Sequence, residues 1–169
     1  MAYAICLRLD ADAEVVVEAV WRKLAGAGIS DDMVRLGYAP HLSLAVLDEE
    51  PHEAVVAGAL EDGVAIDCQL GPVRQFDGTD VVWLALAGGE VLMDLHRRVL
   101  QRLPTELVRS HYRIGSWTPH VTLQTKGDAT RATALAEAAW PEQQSAKLVG
   151  MELVRFPPVV VLKHRAFRV

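Results

Sequence analysis

Cysteines and long hydrophobic runs are scarce in this sequence. It has only two cysteines, Cys6 and Cys68, and no apolar run near the ~20 residues that cross a bilayer. Each cysteine lies inside an apolar, strand-like segment, which predicts reduced thiols in a protein core. The first ten residues carry no basic leader before their apolar stretch, so we expect no secretory signal. These absences favour a cytoplasmic protein that does not bind membranes.

Signatures of several common catalytic sites are also absent. The sequence contains no H-E-x-x-H or C-x-x-C motif, no G-x-S-x-G nucleophile turn and no P-loop. A zinc hydrolase of that type, a serine hydrolase built on the nucleophile turn and an ATP-driven ligase are therefore not supported. We expect no metal and no cofactor.

Length and composition indicate an ordinary globular protein. A chain of 169 residues suggests one domain, or two small lobes that share one fold. The hydrophobic fraction is 51% and the charged fraction is 23%, which excludes a disordered, collagenous or coiled-coil protein. A chain of this length buries enough surface to fold without a disulfide or a metal.

The net charge of −5 is divided unevenly along the chain. Residues 1–90 hold 5 Lys and Arg against 16 Asp and Glu, whereas residues 91–169 hold 12 against 6. This pattern indicates either two solvated faces of opposite sign or an anion-binding surface in the basic half. Overall acidity disfavours a nonspecific duplex-DNA binder, but it leaves a local phosphate pocket open.

Hydrophobic periodicity predicts strands and helices along the whole chain. Strands are predicted at residues 2–10, 40–47, 65–70, 81–87, 119–125, 146–156 and 159–169. Helices are predicted at residues 13–26, 50–60, 90–103 and 130–140, with Asp10 or Asp12 as the cap of the first and His96 on the polar side of the third. Residues 31–38 predict a short turn, and residues 104–117 a long polar and basic loop. The mixture indicates an α+β or α/β fold without a disordered linker.

One five-residue pattern occurs twice. Residues 40–44 read P-H-L-S-L and residues 119–123 read P-H-V-T-L, so His41 and His120 each stand two positions before a hydroxyl residue, Ser43 or Thr122. In a chain of this composition the full pattern is expected by chance roughly 0.003 times. Each copy lies in a predicted strand followed by a predicted helix. We interpret the pair as an approximate duplication of one supersecondary unit.

Strand geometry limits what such a motif does. Side chains alternate between the two faces of a strand, so the histidine and the hydroxyl share one face, ~7 Å apart. If the two units pack about a pseudo-twofold axis, two imidazoles and two hydroxyls meet in one cleft. Phosphodiester cleavage suits this set, because one neutral imidazole accepts a proton from water and a protonated imidazole donates one to the leaving oxygen. The hydroxyls hold the nonbridging oxygens.

The motifs have three other interpretations. A single histidine in a strand is most often structural. The matched pair of motifs makes a purely structural role less plausible. A metal site is disfavoured, because no Asp, Glu or Cys stands at ligand spacing beside either motif. A serine nucleophile is disfavoured, because Ser43 lies too far along its strand from His41 for direct activation.

Aromatic and basic residues near the motifs are candidates for substrate binding. Tyr38 and Trp117 each lie three residues before a motif histidine, which indicates either packing at the strand entrance or a stacking surface for a base. Arg109, Arg113 and Lys126 are candidates for phosphate contact, and the alternative for each is an exposed charge.

The paired H-x-[ST] strands resemble the two-histidine (2H) phosphoesterase superfamily, which includes 2′-5′ RNA ligase-like proteins and RNA 2′,3′-cyclic phosphodiesterases. The resemblance covers nearly the whole chain. It implies an α+β fold in which two pseudo-twofold-related sheet-plus-helix lobes, at about residues 1–85 and 86–169, form a single bilobal domain around a central cleft. It also implies metal-independent catalysis by His41 and His120, with Ser43 and Thr122 on the phosphate oxygens, and favours His120 as base and His41 as acid.

The resemblance leaves the substrate open. It implies an RNA end with a 2′,3′-cyclic phosphate, a 2′-5′ linkage or a small cyclic nucleotide. The acidic first half favours a short oligonucleotide end or a small nucleotide over a long RNA. The alternative function is a nucleotide- or RNA-binding module with little or no turnover, and ligation is the same chemistry in reverse. The sequence does not determine the oligomeric state.

Overall fold

The sheet contains strands from both halves of the chain. A computed structural model describes residues 1–49, 58–140 and 142–169. The strands are β1 (Ala2–Leu9), β2 (His41–Leu47), β3 (Ile66–Gln75), β4 (Val82–Ala87), β5 (His120–Gln124), β6 (Gln144–Phe156) and β7 (Val160–Ala166). The helices within the described ranges are α1 (Ala11–Gly26), α2 (Asp32–Arg35), α3 (Gly89–Leu100) and α4 (Ala129–Ala139). None of these helices is long and apolar enough to cross a membrane.

All strand pairs in the sheet are antiparallel, and six of the strands form a closed circuit. The order is β1-β2-β5-β4-β3-β6-β7, and β6 also pairs with β1. The pairing between β2 and β5 is the shortest in the circuit, and Leu42 and Val121 are its paired residues. The first part of β6 pairs with β3 and its later part with β1 and β7, so this 13-residue strand joins both halves.

The duplication predicted from the sequence corresponds to two strand–helix–strand units. One is β1-α1-β2 and the other is β4-α3-β5, and each motif begins the second strand of its unit. Burial alternates along both motif strands, because Leu42 and Val121 are fully buried whereas the histidines are half-buried. The Leu42–Val121 pair lies where a pseudo-twofold axis between the units would pass.

Each unit's helix packs against the motif strand of the other unit. Helix α1 contacts β5, and the indole N–H of Trp21 in α1 donates to the Thr122 carbonyl oxygen at 3.0 Å. Helix α3 contacts β2, and His96 in α3 stacks on Trp117 at a centroid distance of 3.9 Å. Trp117 in turn donates from its indole N–H to the Ser43 carbonyl oxygen at 3.0 Å. Aromatic donors on the core side therefore fix the backbone of both motifs.

Several predictions of local structure are confirmed. Asp10 caps α1, because its carboxylate accepts a hydrogen bond from the Ala13 N–H at 3.0 Å. Cys6 and Cys68 are buried, free thiols. The mixed strand and helix content is as expected, and β6 and β7, which correspond to the last two predicted strands, pair with each other.

Other predictions need correction. Strand β3 continues to Gln75, five residues beyond its predicted end, because Val73 to Gln75 still pair with β4. The turn predicted at 31–38 contains the one-turn helix α2, and the loop predicted at 104–117 contains the 3-10 turn Ser110–Tyr112. The lobe boundary predicted between residues 85 and 86 falls inside β4. Most of the helix predicted at 50–60 lies outside the described residues.

Candidate active site

The two motif histidines make the same hydrogen bond. Nδ1 of His41 lies 2.9 Å from the Ala39 carbonyl oxygen, and Nδ1 of His120 lies 2.7 Å from that of Thr118. A carbonyl oxygen only accepts, so Nδ1 carries the proton in both rings. This tautomer leaves Nε2 of each neutral imidazole without a proton and able to accept one.

The Leu42–Val121 pair brings the two polar faces together. Continuing the antiparallel register by one residue in each direction places His41 beside Thr122 and Ser43 beside His120. The charge of one imidazole also lowers the pKa of the other, as expected for neighbours. Each histidine is therefore adjacent to the hydroxyl of the opposite motif.

Both imidazoles favour the neutral form. Burial lowers the pKa of His41 to about 4, and the positive charges of Arg8 and His120 add to this effect, whereas the Ala39 carbonyl opposes it. Burial likewise lowers the pKa of His120, against the opposing effect of the Thr118 carbonyl. Without a bound anion, both rings are neutral at pH 7.

A buried charged network lies behind His41. Glu152 is 5% exposed, and its carboxylate accepts hydrogen bonds from the Tyr38 hydroxyl at 2.5 Å and from Arg8 at 3.3 Å. Its other neighbour is Nδ1 of His164 at 3.1 Å. The Tyr38 ring packs on His41 with centroids 4.8 Å apart. Arg8 also pairs with Glu14, and it is the β1 residue opposite His41 in the sheet.

Ser43 has two side-chain neighbours of its own. Its Oγ lies 3.7 Å from Sγ of Cys6, the β1 residue paired with it. Tyr112 lies nearby, and its interaction with the Ser43 hydroxyl lowers the pKa of Tyr112 against the larger effect of burial, which raises it. Burial raises the pKa of Cys6 to about 12, so this thiol is protonated and is not a nucleophile at neutral pH.

The surroundings of His120 are apolar and aromatic. The Phe76 ring meets it edge to face with centroids 5.1 Å apart, and the Trp83 ring lies 5.6 Å away. Phe76 and Trp83 are stacked on each other at 4.7 Å. The duplicated motifs therefore have dissimilar supports, a charged network behind His41 and two aromatic rings beside His120.

His120 and Thr122 open onto a cleft of about 530 Å³. Tyr112, the neighbour of Ser43, is also on its wall. The remaining lining residues come from the β3–β4 turn and from the segments on either side of β5: Phe76, Thr79, Val81, Arg109, His111, Ser116, Trp117, Thr118 and Thr125. The cleft therefore offers hydroxyl groups and aromatic surface beside one of the two imidazoles.

The predicted binding residues have different surroundings. Tyr38 is half-buried between His41 and Glu152, and Trp117 is buried against His96 while it also lines the cleft, so both rings make packing contacts. Arg113 donates to the Val108 carbonyl oxygen and borders a different pocket. Lys126 is exposed and is not part of the cleft wall. Neither cation is brought to the motifs.

Sequence reasoning missed several residues of the site. His96 is buried rather than on the polar side of its helix, because Trp117 and the Tyr112 carbonyl oxygen occupy that side. Arg8 and Glu152 each interrupt an otherwise apolar stretch of a strand, which is the signal that singles them out in the sequence. Phe76 gave no such signal, because it lies in a turn.

The side chains of the site do not form a metal centre. Residues 1–49, 58–140 and 142–169 contain no group of three or more His, Cys, Asp or Glu side chains positioned to hold a metal ion. What the motifs bring together is two imidazoles and two hydroxyls.

Comparisons with known proteins identify related sequences and structures. A sequence profile described as the 2′-5′ RNA ligase superfamily matches residues 13–156. No curated protein sequence matches significantly.

Solved structures share the fold. TT0787 of Thermus thermophilus superimposes with a TM-score of 0.63 at 16% identity, over 99% of this chain and 98% of that one. LigT of E. coli complexed with 3′-AMP gives 0.64 at 18% identity, over 98% of this chain and 97% of that one. The PDE domain of MHV ns2 gives 0.53 at 15% identity, over 92% of this chain and 100% of that domain.

Proposed function

The chain belongs to the 2′-5′ RNA ligase superfamily, and on that premise we propose that it is a metal-independent phosphodiesterase that hydrolyses a cyclic phosphodiester. The proposed substrate is a 2′,3′-cyclic phosphate at an RNA end or in a small nucleotide. The observation that supports the proposal is the Leu42–Val121 pair, because its antiparallel register, continued by one residue, leads us to expect each imidazole beside the hydroxyl of the other motif. Superfamily membership supports phosphodiesterase-type chemistry in general.

The catalytic step needs one proton acceptor and one proton donor. Water attacks phosphorus as one imidazole takes its proton at Nε2, and the P–O bond to one ribose oxygen breaks as the other imidazole, protonated, donates to that oxygen. The product is a phosphomonoester with a free hydroxyl. Nδ1–H bonds to Ala39 and Thr118 hold both rings with Nε2 available. Ser43 and Thr122 donate to the nonbridging oxygens, where negative charge develops.

The assignment of the two histidines follows from the resemblance, with His120 as base and His41 as acid. Because the pKa of His41 is lowered to about 4, this assignment requires the substrate phosphate to raise it. A phosphate anion beside an imidazole stabilises the charged ring and has this effect. The neutral resting state of His120 suits a base. In the reverse of this hydrolysis, the free ribose hydroxyl attacks the phosphomonoester and water leaves, and the same groups serve as acid and base.

Several observations support a nucleotide as the substrate. Structures of E. coli LigT hold 3′-AMP, ATP or NADP⁺, and each ligand is a nucleotide. The cleft beside His120 is large enough for a single nucleotide rather than a long strand. The acidic first half also disfavours an extended RNA contact. The free thiols of Cys6 and Cys68 support a cytoplasmic setting.

The test is hydrolysis of a 2′,3′-cyclic nucleotide and of a short RNA that ends in 2′,3′-cyclic phosphate, both in EDTA. We expect wild-type turnover to survive EDTA and to fall at least about 100-fold in His41→Gln and in His120→Gln. The Thr130→Ala variant, altered on the exposed side of α4, is the control for handling and folding. Activity lost only on chelation would overturn the metal-independent mechanism. Binding of nucleotide with no turnover would favour the alternative, a binding module.

A further inference from the structure

Phe76 is placed where the base of a nucleotide would meet the protein. It lies just after β3, in the turn before β4, and its half-buried ring lines the cleft 5.1 Å from the His120 ring. We propose that Phe76, supported by Trp83, is the stacking surface for the substrate's nucleobase. This inference rests on the proposed function, and it assigns the part of the site that recognises the base.

The three aromatic rings leave one face of Phe76 free. Phe76 stacks on Trp83 at 4.7 Å with 28° between the rings, so Trp83 covers one face. The centroid distances of 4.7, 5.1 and 5.6 Å make a nearly equilateral triangle, so His120 lies at the edge of Phe76 and not across its opposite face. That opposite face is available to a planar ligand in the cleft.

The distance from Phe76 to His120 fits the shape of a nucleotide. A phosphate held at Nε2 of His120 has its ribose and base within a few ångströms, on the same side of the cleft. A base stacked on Phe76 extends the Trp83–Phe76 stack by one ring, an arrangement typical of single-stranded nucleic-acid recognition. Trp83 is 8% exposed and pairs with Thr122 across the sheet, so it fixes Phe76 to the motif strand.

Polar groups beside Phe76 complete the subsite. The side chains of Thr79 and Ser116 line the same cleft as the Phe76 ring. The Thr79 hydroxyl donates to the Phe76 carbonyl oxygen at 2.8 Å, and the Gln75 side-chain amide donates to the Thr79 carbonyl oxygen at 2.7 Å. These two bonds fix the conformation of the turn. Among the other aromatic candidates, Tyr38 packs on His41 and is not part of the cleft wall, whereas Trp117 lines the cleft but stacks on His96 and is more deeply buried than Phe76.

The test compares two cyclic phosphates that differ only in the base. One is adenosine 2′,3′-cyclic phosphate, and the other is 1-O-methylribose 2′,3′-cyclic phosphate, which has no base. We expect Phe76→Leu to lower the ratio of their kcat/KM values by roughly 5- to 150-fold, the worth of one base stacked on an aromatic side chain. Phe76→Tyr keeps an aromatic ring and is expected to preserve the ratio. Phe167→Leu, which changes a buried phenylalanine that is not part of the cleft wall, is the matched control.

A ratio that is the same in Phe76→Leu and wild type would overturn the proposal, even if both activities fall. If wild type hydrolyses neither compound, the proposed function fails and calorimetric titration with 3′-AMP decides the subsite separately. Weaker 3′-AMP binding in Phe76→Leu, with ribose 3-phosphate binding as in wild type, would support a stacked base. Equal 3′-AMP affinity in the two proteins would reject it.

Discussion

The Tyr38 hydroxyl donates a 2.5 Å hydrogen bond to the carboxylate of Glu152, a residue 114 positions further along the chain. This bond ties the ring that packs on His41 to a buried acid in β6. His120, the equivalent residue in the second motif, has no comparable charged partner among the described residues and instead lies against Phe76 and Trp83. The repeat is symmetric in sequence and backbone, but the two imidazoles differ in electrostatic surroundings.

Removing the charge of Glu152 is expected to destabilise the fold. Glu152→Gln leaves Arg8 with only Glu14 and weakens the bond from Tyr38, so we expect a loss of about 2–3 kcal/mol in the free energy of unfolding. Urea denaturation at pH 7 measures it. The control is Asp67→Asn, which breaks the exposed pair with Lys147 and should cost less than about 1 kcal/mol. Equal losses in the two variants would show that the network adds nothing to stability.

The lowered pKa of His41 predicts a loss of stability in acid. The folded protein holds a proton on His41 only below about pH 4, whereas the unfolded chain takes it up near 6.5. The unfolded state therefore binds more protons between these values, and stability falls as the pH drops through this window. We expect His41→Gln to lose less stability than wild type between pH 7 and 4.5 in urea titrations. A greater loss in the variant would contradict the direction of the shift.

Phosphate binding is expected to raise the pKa of both motif histidines. In histidine ring proton NMR spectra, His41 should titrate near pH 4 without ligand and His120 below its usual value. Saturating inorganic phosphate should move both midpoints upward, because an anion stabilises each imidazolium. Titration midpoints of His41 and His120 that stay unchanged when phosphate is added would argue against an anion at the motifs.

The lowered pKa of Asp32 predicts a separate contribution to the stability of the fold at lower pH. Burial opposes its charge, but hydrogen bonds from the hydroxyls of Thr125 and Ser30 and from the N–H groups of Thr125 and Met33 lower the pKa of the carboxyl. The stabilisation is therefore present above about pH 4 and declines as pH falls through the lowered pKa. Asp32→Asn should be less stable at pH 7 and should lose less on acidification. Asp31→Asn, altered at an exposed neighbour, is the matched control, and an identical acid response in both would be contrary evidence.

The motif hydroxyls are expected to act on the reaction rather than on folding. Thr122→Ala removes one donor to the nonbridging oxygens, and we expect kcat to fall roughly 100-fold with little change in stability. Thr122→Ser restores the hydroxyl and should recover most of the rate. Steady-state kinetics on the cyclic nucleotide measure both. A serine variant as slow as the alanine variant would mean that the methyl group, and not the hydroxyl, matters.

Strand alternation and one repeated pattern predict the centre of the proposed site. His41, Ser43, His120 and Thr122 share the polar sides of two strands, because Leu42 and Val121 between them are fully buried. The supporting residues were not predictable in this way. Glu152 reaches Tyr38 only because β6 pairs with β1, and nothing local in the sequence states that pairing.

The sequence-based predictions that were wrong or incomplete concern residues whose environment is set by another element of the fold. His96 follows the polar face of its own helix, yet Trp117 from a distant loop covers it. The same contact covers one face of Trp117, which the sequence offered as a stacking surface. Phe76 shows the converse, because a residue in an exposed turn becomes part of the cleft once β3 and β4 pair.

The pairing of β1 with β6 also has a consequence for synthesis of the chain. Ala2 lies opposite Phe156, so one edge of the first strand has no partner until synthesis has passed Phe156. At ~5–20 residues per second this interval is on the order of ten seconds. During it, the apolar side chains of β1 are exposed along an unpaired edge, and Arg8 has no Glu152. The nascent protein is then aggregation-prone, and His41 lacks the Glu152 network that lies behind it. Pairing of β6 with β1 therefore completes the surroundings of the first motif.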